Sequence, residues 1–78
     1  MPTILTLDGF RFFFYSNEGT EPPHIHVEKG EGTSKYWLIP VKEAYSYNFS
    51  PRQKRKIYKI VNKRQGYFKQ KWYEYFGN

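Results

Sequence analysis

Ser50-Pro51 divides the chain into two hydrophobic periods, and that switch constrains the fold more than any other feature. A serine followed by a proline reads as a helix start, with Ser as N-cap and Pro at the first helical position. Before it, apolar residues alternate or cluster in short runs punctuated by Gly, Pro, Asn and Asp, the pattern of strands and turns. After it, Ile57, Ile60, Val61, Phe68, Trp72 and Tyr75 fall within one arc at helical spacing, and the helical pattern runs to about Phe76. Gly66 either breaks this run into two helices or is absorbed at a cost of about 1 kcal/mol relative to Ala. Gly77 is a natural C-terminal stop. The chain therefore reads as an α+β fold: a small antiparallel sheet of three to five strands, followed by a long or broken C-terminal helix packed on one face.

The strands follow from the punctuation. Thr3 to Leu7 is the first, and Asp8-Gly9 is a two-residue hairpin signal. Phe10 to Tyr15 is the second, with Phe10, Phe12 and Phe14 on one face and Arg11, Phe13 and Tyr15 on the other. A polar loop from Ser16 to Pro23 leads to a third strand, His24 to Lys29. Gly30-Glu31-Gly32 turns the chain into a fourth, Lys35 to Ile39, which Pro40 ends or places at an edge. Between Val41 and Phe49 the alternation of Tyr45, Tyr47 and Phe49 favours a strand, while Glu43 and Ala44 permit a helical turn. Short connections make an antiparallel meander the simplest arrangement. The expected helix–sheet core is Ile57, Ile60, Val61, Phe68 and Trp72 against Phe12, Phe14 and Leu38, and Trp37 reads as a second core anchor facing Trp72.

At 78 residues the chain has material for one small domain, 1–78, with a modest core. There is no cysteine, so neither a disulfide nor a thiolate zinc site is available. A reducing, cytoplasmic location is compatible with that. No basic leader with an apolar run opens the sequence, and no run approaches the roughly 20 apolar residues that span a bilayer. No membrane partner and no cofactor are expected.

Charge changes at the same boundary as hydrophobic period. Residues 1–50 carry four basic and six acidic residues, whereas residues 51–78 carry nine basic residues and only Glu74. Arg52, Arg55, Lys56, Lys59 and Lys63 fall on the arc opposite the apolar one. An ordinary solvated face mixes both signs. One this cationic points to RNA, or to an acidic small protein partner, with Arg11 and Lys35 as further anion contacts. Exposed members of the set Tyr45, Tyr47, Tyr67 and Tyr73 could stack on bases.

Both histidines lie in Glu21-Pro22-Pro23-His24-Ile25-His26-Val27-Glu28. In an extended strand His24 and His26 project from the same face. Three readings stand open. The pair could serve as general acid and base in metal-independent phosphodiester cleavage, with Arg11, Lys29 or Lys35 stabilising the developing charge. It could ligate a divalent metal, with Glu21 or Glu28 as the nearest further ligands. It could equally be a structural pair bonded to tyrosines or backbone. Phosphate-binding Gly-rich loops, zinc-finger spacings and the Gly-x-Ser-x-Gly nucleophile motif are all missing, which argues against P-loop nucleotide hydrolysis, structural zinc and serine esterase chemistry.

The opening Met-Pro-Thr-Ile, Pro22-Pro23-His24-Ile25-His26-Val27, Lys35-Tyr36-Trp37-Leu38 and the closing Trp72-Tyr73-Glu74-Tyr75-Phe76-Gly77 together resemble a small bacterial family, domain of unknown function 4160. The resemblance runs over essentially the whole chain, and Pro-Pro-His-x-His-Val is its most specific element. Members are small single domains commonly encoded beside another small protein, which implies a role in a toxin–antitoxin-like module. Ile25 departs from the Phe common in the family. Asn48 stands where a Gly is common, and Asn tolerates the positive φ such a turn requires. With the resemblance added, the expected functions are RNA or partner binding within such a module, a ribonuclease toxin using His24 and His26, or an interaction domain with structural histidines.

Overall fold

A computed structural model describes residues 3–77. Met1 and Pro2 of the Met-Pro-Thr-Ile opening lie outside the described residues. Five strands, β1 (Thr3–Leu7), β2 (Phe10–Phe13), β3 (His24–Lys29), β4 (Gly32–Leu38) and β5 (Val41–Tyr47), precede two helices, α1 (Pro51–Lys63) and α2 (Gln65–Phe76). The strands form one sheet in sequence order, each antiparallel to the next. This is the expected α+β meander with its helices on one face, and 41–47 is strand.

The elements begin and end for local reasons. Asp8 and Gly9 both take positive φ, as a tight hairpin turn requires. β2 stops at Phe13, short of the expected Tyr15, because its ladder with β3 ends at Phe13 opposite His26. β4 starts at Gly32 rather than Lys35, because pairing continues through Thr33 and Gly32 up to a two-residue Gly30-Glu31 turn. Those small polar residues look like turn on their own and become strand only against a partner. Asn48 takes φ +61°, so the left-handed conformation is kept without glycine.

Ser50 caps α1 with a reciprocal pair of bonds. Gln53 N–H donates to Ser50 Oγ at 3.1 Å, and Ser50 N–H donates to Gln53 Oε1 at 2.9 Å. The helical run does divide, but at Arg64 (φ −106°, ψ 16°), which places Gly66 inside the first turn of α2. Gly77, at φ 74°, ends α2 with its N–H donating to the Tyr73 carbonyl.

Strand register sorts the sheet into two faces. Phe10, Phe12, Ile25, Val27, Tyr36 and Leu38 face the helices and join Ile57, Ile60, Val61, Phe68 and Trp72 in the core. Phe12 stacks on Phe68 with ring centroids 5.4 Å apart, and Phe14 meets Trp72 edge-on at 5.3 Å. Tyr75, placed on the apolar arc by spacing, is exposed. Trp37 corrects the sequence reading. Its neighbours Tyr36 and Leu38 point into the core, so alternation turns Trp37 to the other face, where it is only partly buried.

Candidate functional site

The face away from the helices carries Arg11 opposite Glu28, Phe13 opposite His26, and His26 and His24 opposite Lys35 and Trp37. After Phe14 the chain leaves the sheet, and the loop before β3 folds back over this face. A turn closed by Glu21 N–H donating to the Glu18 carbonyl (3.1 Å) shapes it. Pro22 and Pro23 then hold an extended entry to the strand.

That fold-back brings in a residue the sequence reading missed. The Glu18 carboxylate reaches both imidazoles: Oε1 is 2.9 Å from His24 Nε2 and 2.9 Å from His26 Nε2, and Oε2 is also 2.9 Å from His26 Nε2. Glu21 and Glu28, the carboxylates nearest in sequence, are engaged elsewhere. Glu21 pairs with Lys35 at 2.7 Å and Glu28 with Arg11 at 2.6 Å. Nothing in the loop's local sequence marks Glu18, since its place depends on eight residues folding onto a strand that follows them.

The two rings are 0% and 3% exposed, and aromatic side chains wall them in. His24 lies 4.8 Å from Trp72 and 5.6 Å from Trp37, while His26 lies 4.5 Å from Tyr15 and 5.5 Å from Phe13, centroid to centroid. His24 Nδ1 donates to the Pro22 carbonyl at 2.9 Å. Its Nε2 is buried and completes no aligned hydrogen bond, although Glu18 Oε1 is at contact distance.

Burial alone would raise the Glu18 pKa, but the two histidines beside it outweigh burial and hold the carboxyl below its ordinary value. Burial, aided by His24 and Lys35, pushes His26 down despite Glu18. Both shifts act in the same direction on stability. A depressed His26 favours the neutral ring in the fold, so its contribution is present above the ordinary histidine pKa and is lost as pH falls from there. The Glu18 contribution is present above the ordinary carboxylate value and is lost as pH falls through its lower folded value. In chelator-containing buffer, urea midpoints are therefore expected to fall steadily between pH 7 and pH 4. His26→Gln should flatten the upper part of that decline. A midpoint independent of pH over this range would contradict the assigned ionisation states.

The remaining candidates make no contact with the Glu18 carboxylate among the described residues. Arg11 is bonded to Glu28 and Thr3, and Lys35 to Glu21, so both are held on the histidine face. Lys29 Nζ donates to the Asp8 carbonyl at the first hairpin. Arg52, Arg55, Lys56 and Lys59 instead line one exposed groove of about 380 Å³ on α1. Lys63 is exposed at the last turn of that helix. Of these five helix cations, only Lys56 has a carboxylate within ion-pair distance among the described residues, Asp8 at 3.6 Å. Tyr47, Tyr67 and Tyr73 are exposed and Tyr45 is half-buried.

Taken together, fold and site define a small α+β protein: a five-stranded antiparallel meander with two C-terminal helices on one face and a Glu-His-His cluster on the other. The family model described as a domain of unknown function (DUF4160) matches residues 9–73, and the chain belongs to that family. The matched span includes Glu18, both histidines and all of α1, but not the opening Met-Pro-Thr-Ile or the residues after Tyr73. No curated protein and no solved structure matches the chain.

Proposed function

We propose that this protein binds RNA through the exposed cations of α1, as one component of a two-protein, toxin–antitoxin-like module in the reducing cytoplasm. The observation that carries this reading is the α1 groove. Arg52, Arg55, Lys56 and Lys59 converge on one surface, and α1 itself contains no carboxylate to neutralise them. Holding like charges together costs electrostatic free energy that an anionic ligand removes.

A second feature supports a nucleic acid in particular. A groove of about 490 Å³ runs between β5 and α1, with Tyr36, Val41 and Tyr58 as its apolar lining and Lys42, Arg55 and Lys59 among its charged residues. Burial first, then Glu43, raises the Tyr36 hydroxyl to about 12, so it remains a neutral donor. Tyr58 is exposed, and an aromatic face beside cations suits an unpaired base.

Among the described residues, no helix is long and apolar enough to cross a membrane. The alternative, a metal-independent ribonuclease using His24 and His26, requires both rings to reach a scissile phosphodiester. Both are buried beneath aromatic side chains, so the groove on α1 is the better-supported site.

The test is fluorescence anisotropy of a labelled single-stranded RNA across a salt series. Four phosphate contacts predict a log–log salt slope of about −2.8, and so an affinity loss of about 50-fold between 50 and 200 mM salt. Absence of binding at 50 mM salt, or binding insensitive to salt, would overturn the proposal.

A further inference from the structure

We propose that Glu18, His24 and His26 form a binding site for a divalent transition-metal cation, with zinc as the best chemical fit. One ligand atom from each residue lies within 4.8 Å of the others. Two imidazole nitrogens and one carboxylate oxygen make a three-ligand zinc set, which keeps a fourth position for water or another small ligand. At metal–ligand distances of about 2.0–2.2 Å, tetrahedral ligand atoms stand about 3.3 Å apart. The 2.9 Å separations from Glu18 Oε1 to each Nε2 would need to open by a few tenths of an ångström, and the two imidazoles, within 4.8 Å of each other, would need to draw together around the ion.

His24 itself presents an unsatisfied ring nitrogen to the site. Its Nδ1–H is committed to the Pro22 carbonyl, so the neutral ring presents Nε2 as a bare lone pair. That lone pair is fully buried, makes no hydrogen bond, and faces a carboxylate oxygen at 2.9 Å. Two acceptors held at this distance repel unless a proton or a metal cation lies between them, and a proton on Nε2 would not be aligned for a hydrogen bond to Glu18. The neighbouring cation cannot serve, because Lys35 Nζ is taken by Glu21 at 2.7 Å and lies over the Trp37 ring. A metal ion supplies the charge and uses both lone pairs. A ring nitrogen fixed to a backbone carbonyl, with the other nitrogen aimed at the ion, is the usual support for a metal-bound histidine. At His26 the ion takes the place of the proton on Nε2, which moves to Nδ1, so the ring stays neutral.

The aromatic walls complete the case. Tyr15, Phe13, Trp37 and Trp72 surround the rings, limiting water and strengthening the attraction between cation and carboxylate. The site lies on the histidine face of the sheet, where Trp72 of α2 reaches it but the α1 groove does not, so it stands or falls independently of RNA binding on α1.

Chelator-stripped full-length protein should be titrated with Co²⁺, followed by Zn²⁺, with absorbance and thermal melting as readouts. Expected are uptake of one Co²⁺ per chain with visible d–d bands of a four- or five-coordinate centre, displacement by Zn²⁺, and a melting temperature that rises with free metal. Glu18→Gln keeps an acceptor for the His26 N–H and should leave the circular dichroism spectrum unchanged while weakening metal binding at least about tenfold. His24→Ala should do the same, and if it fails to fold, Glu18→Gln decides. No uptake by the wild-type chain would overturn the proposal, leaving the cluster as an imidazolium–carboxylate pair. So would equal Co²⁺ affinity in Glu18→Gln, which would place the ion elsewhere.

Discussion

Replacing Trp72 with alanine is expected to destabilise the fold by about 3–5 kcal/mol, the range for removing a buried large aromatic residue. Trp72 is 1% exposed and sits where both sheet faces meet the end of α2. It closes on Phe14 at 5.3 Å, Phe76 at 4.2 Å and His24 at 4.8 Å. Its loss leaves a cavity that three rings bound, and rings joined to separate elements cannot collapse into it together. Small domains are stable by only about 5–15 kcal/mol, so the variant should be partly unfolded at moderate temperature. Urea denaturation checks this directly. Tyr73→Ala, one residue along the helix and exposed, should stay within about 0.5 kcal/mol of the parent chain. Trp37→Ala should fall between the two, because Trp37 is only partly buried outside the core. An unchanged midpoint for Trp72→Ala would refute the packing of α2 on the sheet.

The second large effect expected is on RNA affinity. Arg55 and Lys59 lie one turn apart on α1, both exposed and both lining the cationic groove and the neighbouring aromatic groove. Reversing both charges removes two phosphate contacts and sets two repulsive charges in their place. The magnitude of the salt slope should fall by about half, from about 2.8 to about 1.4, and binding at low salt should weaken by more than tenfold. Stability should hardly change, since neither side chain has an ion-pair partner among the described residues. A variant that melts like the parent chain and binds RNA equally well would exclude this surface as the interface. If RNA affinity is absent in the parent chain as well, the acidic small-protein partner becomes the remaining reading for the groove.

How far the sequence could be read depends on the range over which each interaction acts. The Ser50-Pro51 start, the Asp8-Gly9 hairpin and the left-handed Asn48 depend on a few consecutive residues, and each forms as those residues dictate. The helix core of Ile57, Ile60, Val61, Phe68 and Trp72 was legible for a related reason: hydrophobic spacing repeats within each helix. Trp37 was legible too, had strand parity been carried one residue further from Leu38. By contrast, Gly32-Thr33-Ser34 carries turn-like residues and is strand only because β3 offers a ladder up to Lys29. The helix break at Arg64 rather than Gly66 likewise reflects how two segments seat on one sheet, not the propensity of a single residue.

The candidate site divides in the same way. That His24 and His26 share a face, and that cations crowd α1 without carboxylates, was written in the sequence, because strand period and helix period determine which side chains lie together. Only the tertiary structure decided that the histidines are buried, that Arg11 and Lys35 are paired on their face, and that Glu18 rather than Glu21 or Glu28 meets the two rings. Local period sets which way a side chain points. What it meets there depends on a loop folding back over the sheet, and that contact has no signature in the residues that make it.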